Sequence, residues 1–477
     1  MKTYETVIGL EVHVQLATES KVFCGCSTKF AQPPNASTCP VCLGLPGALP
    51  VLNKRAFLFA VKTALGLGCR IEGIIKFDRK NYYYPDLPKN YQISQYDLPL
   101  GHDGACEIFV NGRKKKIRIK RVHLEEDAGK LIHPASGNSS FVDFNRSGCA
   151  LLEIVSEADL ATPEEAYEYL TALKSILRYL DVSDCNMEEG SLRCDANISV
   201  RVKGAPGLGV KAEIKNMNSF KAVRDALRYE EGRHRGALEL GEKIVQETRL
   251  WDAEQGLTRS MRSKEQAEDY RYFPEPDLVP FSVKKEEIER IKSGLPELPQ
   301  AKKERLAREY KLAEYDSGLL VRDSGIAEFF ERAAQASSRP KQVANWILGD
   351  VSAFLNSEGV SIKETALKAE HLAELVRLVD SGKISGKIAK GILPKIIKKG
   401  IPPSEIVKKE NLSQIQDEGQ LERIVEKVIA GNEKSVKDYR AGKEQALMFL
   451  VGQAMKATKG KANPQKVSAL IKEKLKG

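Results

Sequence analysis

Tyr4-Glu-Thr-Val-Ile-Gly-Leu-Glu-Val-His-Val-Gln-Leu16 opens the chain and alternates through its second half. Side chains along a strand point to opposite faces with a period of two. Leu10, Val12, Val14 and Leu16 therefore share one face, and Glu11, His13 and Gln15 share the other. A strand with one apolar and one polar face belongs to a sheet covered on one side. Further strands are expected at 117–123 and 197–202, and helices at 54–67, 163–180 and 220–236. Thr162-Pro-Glu-Glu is a helix start: an N-cap threonine, proline at the first position, then acids facing the helix dipole. Strands interrupted by helices without a regular βαβ rhythm predict an α+β domain.

Beyond Leu295-Pro-Glu-Leu-Pro299 the periodic segments are helical: 300–310, 325–336, 341–356 and 368–381. A second boundary is expected at Gly400-Ile-Pro-Pro403. The organisation predicted for the 477 residues is an α+β domain over 1–294 with a cysteine loop at 24–42, a helical domain over 295–403 and a basic helical tail over 404–477. The formal net charge is +10, and it is unevenly placed. Residues 381–477 hold 21 Lys+Arg against 10 Asp+Glu, a net of +11, which leaves −1 for everything before them. A basic tail on a neutral body points to a polyanion such as nucleic acid, or to a lysine-rich solvated helical surface. No run of about 18 apolar residues spans a membrane, and the N-terminus lacks a signal-peptide pattern, so a cytoplasmic location without membrane association is expected.

Nine cysteines in a cytosolic chain do not argue for disulfides. Cys24-Gly-Cys26 and Cys39-Pro-Val-Cys42 are two close pairs on two turns, a spacing that can bring four thiolates to the corners of a tetrahedron around Zn²⁺. An iron–sulfur cluster shares this ligand set, and unliganded buried thiols are the plain alternative. The loop holds no obvious acid or base, so a metal there is read as structural.

Acids recur in dense polar motifs: His123-Leu-Glu-Glu-Asp127, Asn145-Arg-Ser-Gly-Cys-Ala-Leu-Leu-Glu-Ile154, Ser191-Leu-Arg-Cys-Asp195-Ala-Asn197 and Lys211-Ala-Glu-Ile-Lys-Asn216. Glu153 lies inside an apolar run and Glu213 in a strand-like stretch. An acid in such a setting must find a cation. Several on neighbouring strands would line a cleft suited to Mg²⁺ and a nucleoside triphosphate. Phe77-Asp-Arg-Lys-Asn81 runs into Tyr82-Tyr-Tyr-Pro-Asp-Leu-Pro-Lys89, and Arg193 and Arg201 flank Asp195. These basic groups, Lys80 among them, can offset phosphate charge, and the tyrosines can stack on a base or simply pack. The chain lacks G-x-x-x-x-G-K-[ST] and G-x-S-x-G, which excludes a P-loop ATPase and an elbow-type serine hydrolase.

Val7-Ile-Gly-Leu-Glu-Val-His-Val-Gln15, Phe77-Asp-Arg-Lys-Asn-Tyr82, Tyr91-Gln-Ile-Ser-Gln-Tyr-Asp97, His123-Leu-Glu-Glu-Asp-Ala-Gly-Lys130, Gly190-Ser-Leu-Arg-Cys-Asp-Ala-Asn197, Arg271-Tyr-Phe-Pro-Glu-Pro-Asp277 and Phe449-Leu-Val-Gly-Gln-Ala-Met-Lys456 together resemble the B-subunit family of the aspartyl/glutamyl-tRNA(Asn/Gln) amidotransferases. The resemblance spans essentially the whole chain. It implies a cradle domain like the catalytic fold of glutamine synthetase and guanido kinases, and a heterotrimer with the amidase (A) and small (C) components. It also implies ATP- and Mg²⁺-dependent phosphorylation of the amino-acid carboxylate on Glu-tRNA(Gln) or Asp-tRNA(Asn), then amidation by ammonia from the amidase. A non-catalytic tRNA-binding adaptor of the same complex is the alternative. Carried over residue by residue, Glu11, His13, Glu126, Glu153, Asp195 and Glu213 match the family's magnesium positions. Glu126 is taken over Glu125 and read as catalytic with Lys80 and Arg193, while Lys80, Arg193 and Arg201 are read as nucleotide-binding. The four cysteines resemble those of relatives with a zinc site. Where relatives often read Arg-x-Gly-x-Pro-Leu-Ile-Glu, this chain has Arg146-Ser-Gly-Cys-Ala-Leu-Leu-Glu153.

Overall fold

The opening strand, Tyr4–Gln15, lies fifth in a nine-stranded sheet of the computed structural model, which describes residues 3–134, 139–263, 270–413, 418–458 and 461–475. From one edge to the other the strands run Leu257–Ser263, Glu247–Asp252, Lys211–Lys215, Leu192–Val202, Tyr4–Gln15, Ala150–Ser156, Arg113–Glu126, Gly101–Val110 and Arg70–Ile71. Every neighbouring pair is antiparallel except Lys211–Lys215 with Glu247–Asp252. Ile8, Leu10, Val12 and Val14 are buried on one face, as the alternation predicts.

Helices Lys54–Gly66, Pro163–Tyr179 and Phe220–Leu240 close that face, with Tyr169, Leu173, Leu177, Val223 and Leu227 in the same apolar core. Thr162 Oγ1 accepts from the Glu165 amide at 3.1 Å, so the N-cap forms as its sequence dictates. The mixed sheet with its helices makes the N-terminal part α+β, and the C-terminal part is helical.

Glu230, fully buried on Phe220–Leu240, ties this helix to the sheet edge. Its carboxylate meets Arg233 at 2.7 Å and Arg249 at 3.0 Å, and accepts from the Thr258 hydroxyl. Burial opposes its charge, but His234, Arg233 and Thr258 prevail and hold it down at about 2. A depressed carboxyl contributes stability above its ordinary value near 4.5, and that contribution is lost as pH falls through about 2. Glu230→Ala strands two arginines and should cost about 3–5 kcal/mol. Urea unfolding read at Trp251 in a Trp346→Phe background would show it, and an unshifted midpoint would contradict it.

By its contacts the chain divides into two compact units, 1–301 and 302–477. The first unit runs past the expected boundary at 294 because Leu295 and Leu298 pack on the sheet's core. The second unit holds two apolar cores. One gathers Leu320, Phe330, Val343, Leu372, Ile396 and Val407, and the other Leu421, Val425, Leu450, Val467 and Ile471. Helix Pro403–Lys409 thus belongs to the first of these cores, which also reaches past the boundary expected at 403. The segment expected as one helix over 341–356 is Pro340–Trp346, a π-turn Ile347–Val351 and Ser352–Glu358. Gly349 weakens the helix there, and Ser352 Oγ donates to the Ile347 carbonyl at 2.7 Å. Residues 414–417, 459–460 and 476–477 of the expected tail lie outside the described residues. Among the described residues no helix is long and apolar enough to cross a membrane.

Candidate active site and metal centre

Strand register builds the site. His13 stands opposite Glu153 on one side and Arg193 on the other, Glu153 opposite His123, and Glu11 opposite Asp195. The period of two then places Glu11 and His13, Glu153, His123 and Glu125, and Arg193 and Asp195 on the sheet face away from the helices. Glu153 is the hub. Its Oε2 lies 3.4 Å from Nε2 of both His13 and His123, and its Oε1 3.3 Å from Arg121. His123 Nε2 is 3.2 Å from Glu125, and His13 Nε2 is 3.7 Å from Glu11 and 3.9 Å from Glu125. Two sets, Glu11–His13–Glu153 and His123–Glu125–Glu153, each bring their ligand atoms within 4.8 Å of one another.

Burial opposes charge throughout this cluster, yet the ion pairs prevail at most positions. His123 is raised to about 9 by Glu153 and Glu125 despite burial. His13 is raised too, by Glu153, Glu125 and Glu11. Glu153 is buried, but its two histidines hold it far below the usual carboxylate range. Glu125, also buried, is held low by His123 and Lys80. Glu11 goes up instead, through burial and the neighbouring Glu153. Three carboxylates converging on shared space are a donor set that fits a hard divalent cation.

A three-stranded sheet of Arg271–Pro274, Asp78–Asn81 and Tyr91–Ser94 stands beside the cluster. Ser94 Oγ donates to Glu125 at 2.9 Å. Lys80 acts on Glu125, Glu153 and Glu11, and its Nζ sits 4.8 Å from the ring centre of Tyr270 and 5.7 Å from that of Tyr82. Tyr96 and Tyr272 stack at 4.1 Å, and Tyr83, Tyr84, Tyr96 and Tyr270 are exposed, so these rings form a rim rather than a core.

The other candidate residues divide. Arg193 pairs with Asp127 at 2.9 Å, and its buried Nε meets no acceptor among the described residues. Asp195 binds Lys215 at 2.6 Å, and Glu213 lies 3.4 Å from the same Lys215 while accepting from Thr248. Two placements differ from the sequence reading. Glu126 is not with the acids. By strand parity it turns to the opposite face, where it pairs with Lys89 and accepts from the Ile93 amide at 2.8 Å. Glu125 takes its place. Arg201 is also elsewhere: it lies eight residues from Arg193, about 26 Å along the strand, and binds Glu5 at 2.8 Å. Glu125 and His123 are the residues the sequence reading missed, although their shared parity within His123-Leu-Glu-Glu was available to find them.

The sulfurs of Cys24, Cys26, Cys39 and Cys42 lie within 4.8 Å of one another. A tetrahedral Zn²⁺ with bonds of about 2.3 Å separates its sulfurs by about 3.8 Å, so the set fits such an ion. Cys42 is lowered to about 4, chiefly by hydrogen bonding with Cys24, against burial, and with help from the Cys39 amide and Lys21. Burial pushes Cys26 up to about 11, and Cys24 rises through its hydrogen bond to Cys42 and burial. Cys24 and Cys26 are thus held toward the thiol, and a cation at the four sulfurs would favour their thiolates.

The chain has close relatives of uniform name. A family model described as "GatB/GatE catalytic domain" matches residues 6–289, and one described as "GatB domain" matches 328–475. The B subunit of the aspartyl/glutamyl-tRNA(Asn/Gln) amidotransferase from Carboxydothermus hydrogenoformans is 55% identical over 480 residues, covering 100% of this chain and 99% of that one. Proteins of the same name from Thermoanaerobacter sp. and Brevibacillus brevis are 56% and 50% identical, over 99% and 100% of this chain and 99% of each of theirs. The two family matches and the full-length relatives describe one lineage: the chain belongs to the B-subunit family of the aspartyl/glutamyl-tRNA(Asn/Gln) amidotransferases.

Proposed function

We propose that this chain is the kinase component of a glutamine-hydrolysing, tRNA-dependent amidotransferase. It phosphorylates the side-chain carboxylate of Glu-tRNA(Gln) or Asp-tRNA(Asn) with ATP, and ammonia then displaces the phosphate. The observation that carries this reading is the convergence of Glu11, His13, Glu125, Glu153 and His123 on one sheet face beside Lys80. A bare carboxylate is a poor acceptor for ammonia because its leaving group would be an oxide, and an acyl phosphate leaves as phosphate. Catalysis is then a matter of positioning and charge neutralisation.

Glu11, Glu125 and Glu153, with His13, are the residues that would hold magnesium, with Asp195 and Glu213 extending the acidic row. Magnesium there would neutralise phosphate charge. Lys80 offers a half-buried cation to the transferring group, and the unpaired Nε of Arg193 is a donor suited to a phosphate oxygen. The exposed tyrosine rim offers faces for the unpaired 3′ end of a tRNA. The fold lineage we infer is that of glutamine synthetase and the guanido kinases, supported by acids arrayed across an antiparallel sheet. We further infer a cytoplasmic heterotrimer with the amidase (A) and small (C) components, structural zinc at the four cysteines, and tRNA contact by the basic tail.

With the partner proteins, Mg-ATP and Glu-tRNA(Gln), Glu125→Gln should lower γ-phosphate transfer by about 10²–10³-fold while glutamine hydrolysis persists. Undiminished transfer would reject the catalytic reading and leave the chain as a tRNA-binding adaptor.

A further inference from the structure

A fully buried lysine stands behind the cysteine cluster, and neither the strand chemistry nor the thiol spacing accounts for it. Lys21 has no solvent-accessible surface. Its Nζ donates to the Ser37 carbonyl at 2.7 Å and the Phe144 carbonyl at 3.3 Å, and lies 3.6 Å from Cys42 Sγ. An ammonium is costly to bury without a counter-charge, and two carbonyls supply dipoles but no charge. Asp127 and Glu126 are engaged by Arg193 and Lys89. A tetrathiolate around a divalent cation carries a net charge of −2, and Cys42 is its member nearest Lys21.

We propose that Lys21 is the charge-balancing positioning residue of the cysteine metal centre, and that through it the centre is anchored to the turn that shapes the active-site face. The inference rests on the reading of the four cysteines as a metal site. Ser37 lies on the metal loop and Phe144 on the segment entering the turn Arg146–Cys149. The same two segments are also joined by Asn35 Oδ1 accepting from the Phe144 amide at 2.8 Å and Asn145 Oδ1 accepting from the Ser37 amide at 2.8 Å. The turn is held tightly: a Cβ on Gly148, whose φ is +81°, would meet Cys42 Cβ at 3.3 Å and the Lys21 side chain at 3.5 Å. From the turn, the Gly148 amide donates to the Asp127 carbonyl at 2.8 Å, Arg146 reaches Asp127 at 3.4 Å, and Asp127 holds Arg193. A continuous path of bonded groups thus runs from Cys42 to an arginine in the acid row.

Cobalt-loaded full-length protein tests this, compared as wild type, Lys21→Met and Lys21→Gln. Removing the ammonium should weaken metal retention against a chromogenic chelator by about 10–100-fold in both variants. The sulfur-to-cobalt charge-transfer band should move to lower energy, because thiolate lone pairs lose a stabilising charge. A residue that merely fills space would not move that band. Wild-type retention and an unshifted band in either variant would overturn the proposal, and so would failure of both to fold with metal present, which would make Lys21 a folding residue. Metal content of the wild type against a four-cysteine-to-serine variant checks the underlying reading separately: equal content would refute the metal site itself.

Discussion

Glu153→Gln is expected to abolish phosphoryl transfer, with a loss of about 10³-fold, the upper end for removal of one preorganised electrostatic group. Glu153 is the carboxylate common to both candidate ligand sets, so its loss breaks both at once. It also leaves His13, His123, Arg121 and Lys80 facing a neutral amide, and breaking a buried pair in this way costs about 3–5 kcal/mol. The pH dependence has a definite sign. Glu153 is held low, so its contribution is present above about 4.5. His123 is raised to about 9, so its contribution is full below about 6.5 and lost as pH rises through 9. The stability gap between wild type and variant should therefore be widest between those limits and narrow toward alkaline pH. Denaturant unfolding near pH 6 and near pH 10 measures it. A gap that grows toward pH 10 would refute the charge assignments.

Emptying the cysteine centre should have the second large effect. Between Thr18 and Asn53 the chain forms turns and a single bridge but no extended strand or helix, a long irregular stretch for a compact unit. Val22 and Phe23 anchor its start in the sheet's core, and the rest is held by turn hydrogen bonds, by side-chain bonds from Asn35, Asn53 and Asn145, and by Lys21. Structural zinc contributes about 10–16 kcal/mol in small zinc peptides, far more than those bonds supply. Cys24→Ser with Cys26→Ser, or chelation of the wild type, should open residues 24–51 to proteolysis and raise their hydrogen exchange. A cavity of about 190 Å³ between this loop and Lys89, Tyr91 and Glu126 should open with it. Burial pushes the Cys26 thiol up to about 11, so a metal bound there would compete with its proton and retention should weaken as pH falls. A stripped loop as protected as the loaded one would show that the thiols are only packed.

Much of the site was legible in strand parity. The alternation of Leu10, Val12 and Val14 against Glu11 and His13 named the covered face and the polar face of the sheet together. The same rule, applied to His123-Leu-Glu-Glu, selects His123 and Glu125 and sends Glu126 the other way. Carrying the family's positions onto the Glu-Glu-Asp triplet selected Glu126, which the strand turns away from the other acids toward Lys89 and Ile93. Arg201 failed for a related reason: it neighbours Asp195 along the sequence, but a strand carries it some 26 Å from Arg193. The helix starts were local matters of capping, and Thr162 behaves as its sequence dictates. The break at Ile347–Val351 was hidden because apolar periodicity survives a one-residue π insertion.

The sequence by itself determined which residues are apolar, where helices begin, that four cysteines lie at metal-ligand spacing, and which family the motifs resemble. These follow from local chemistry and from spacing within a few residues. Only the tertiary structure decided that Glu153 faces two histidines from two other strands, that Lys80 arrives from a separate sheet, and that Lys21 stands behind Cys42. Register across antiparallel strands is set by the summed packing of a whole core, so no single motif contains it.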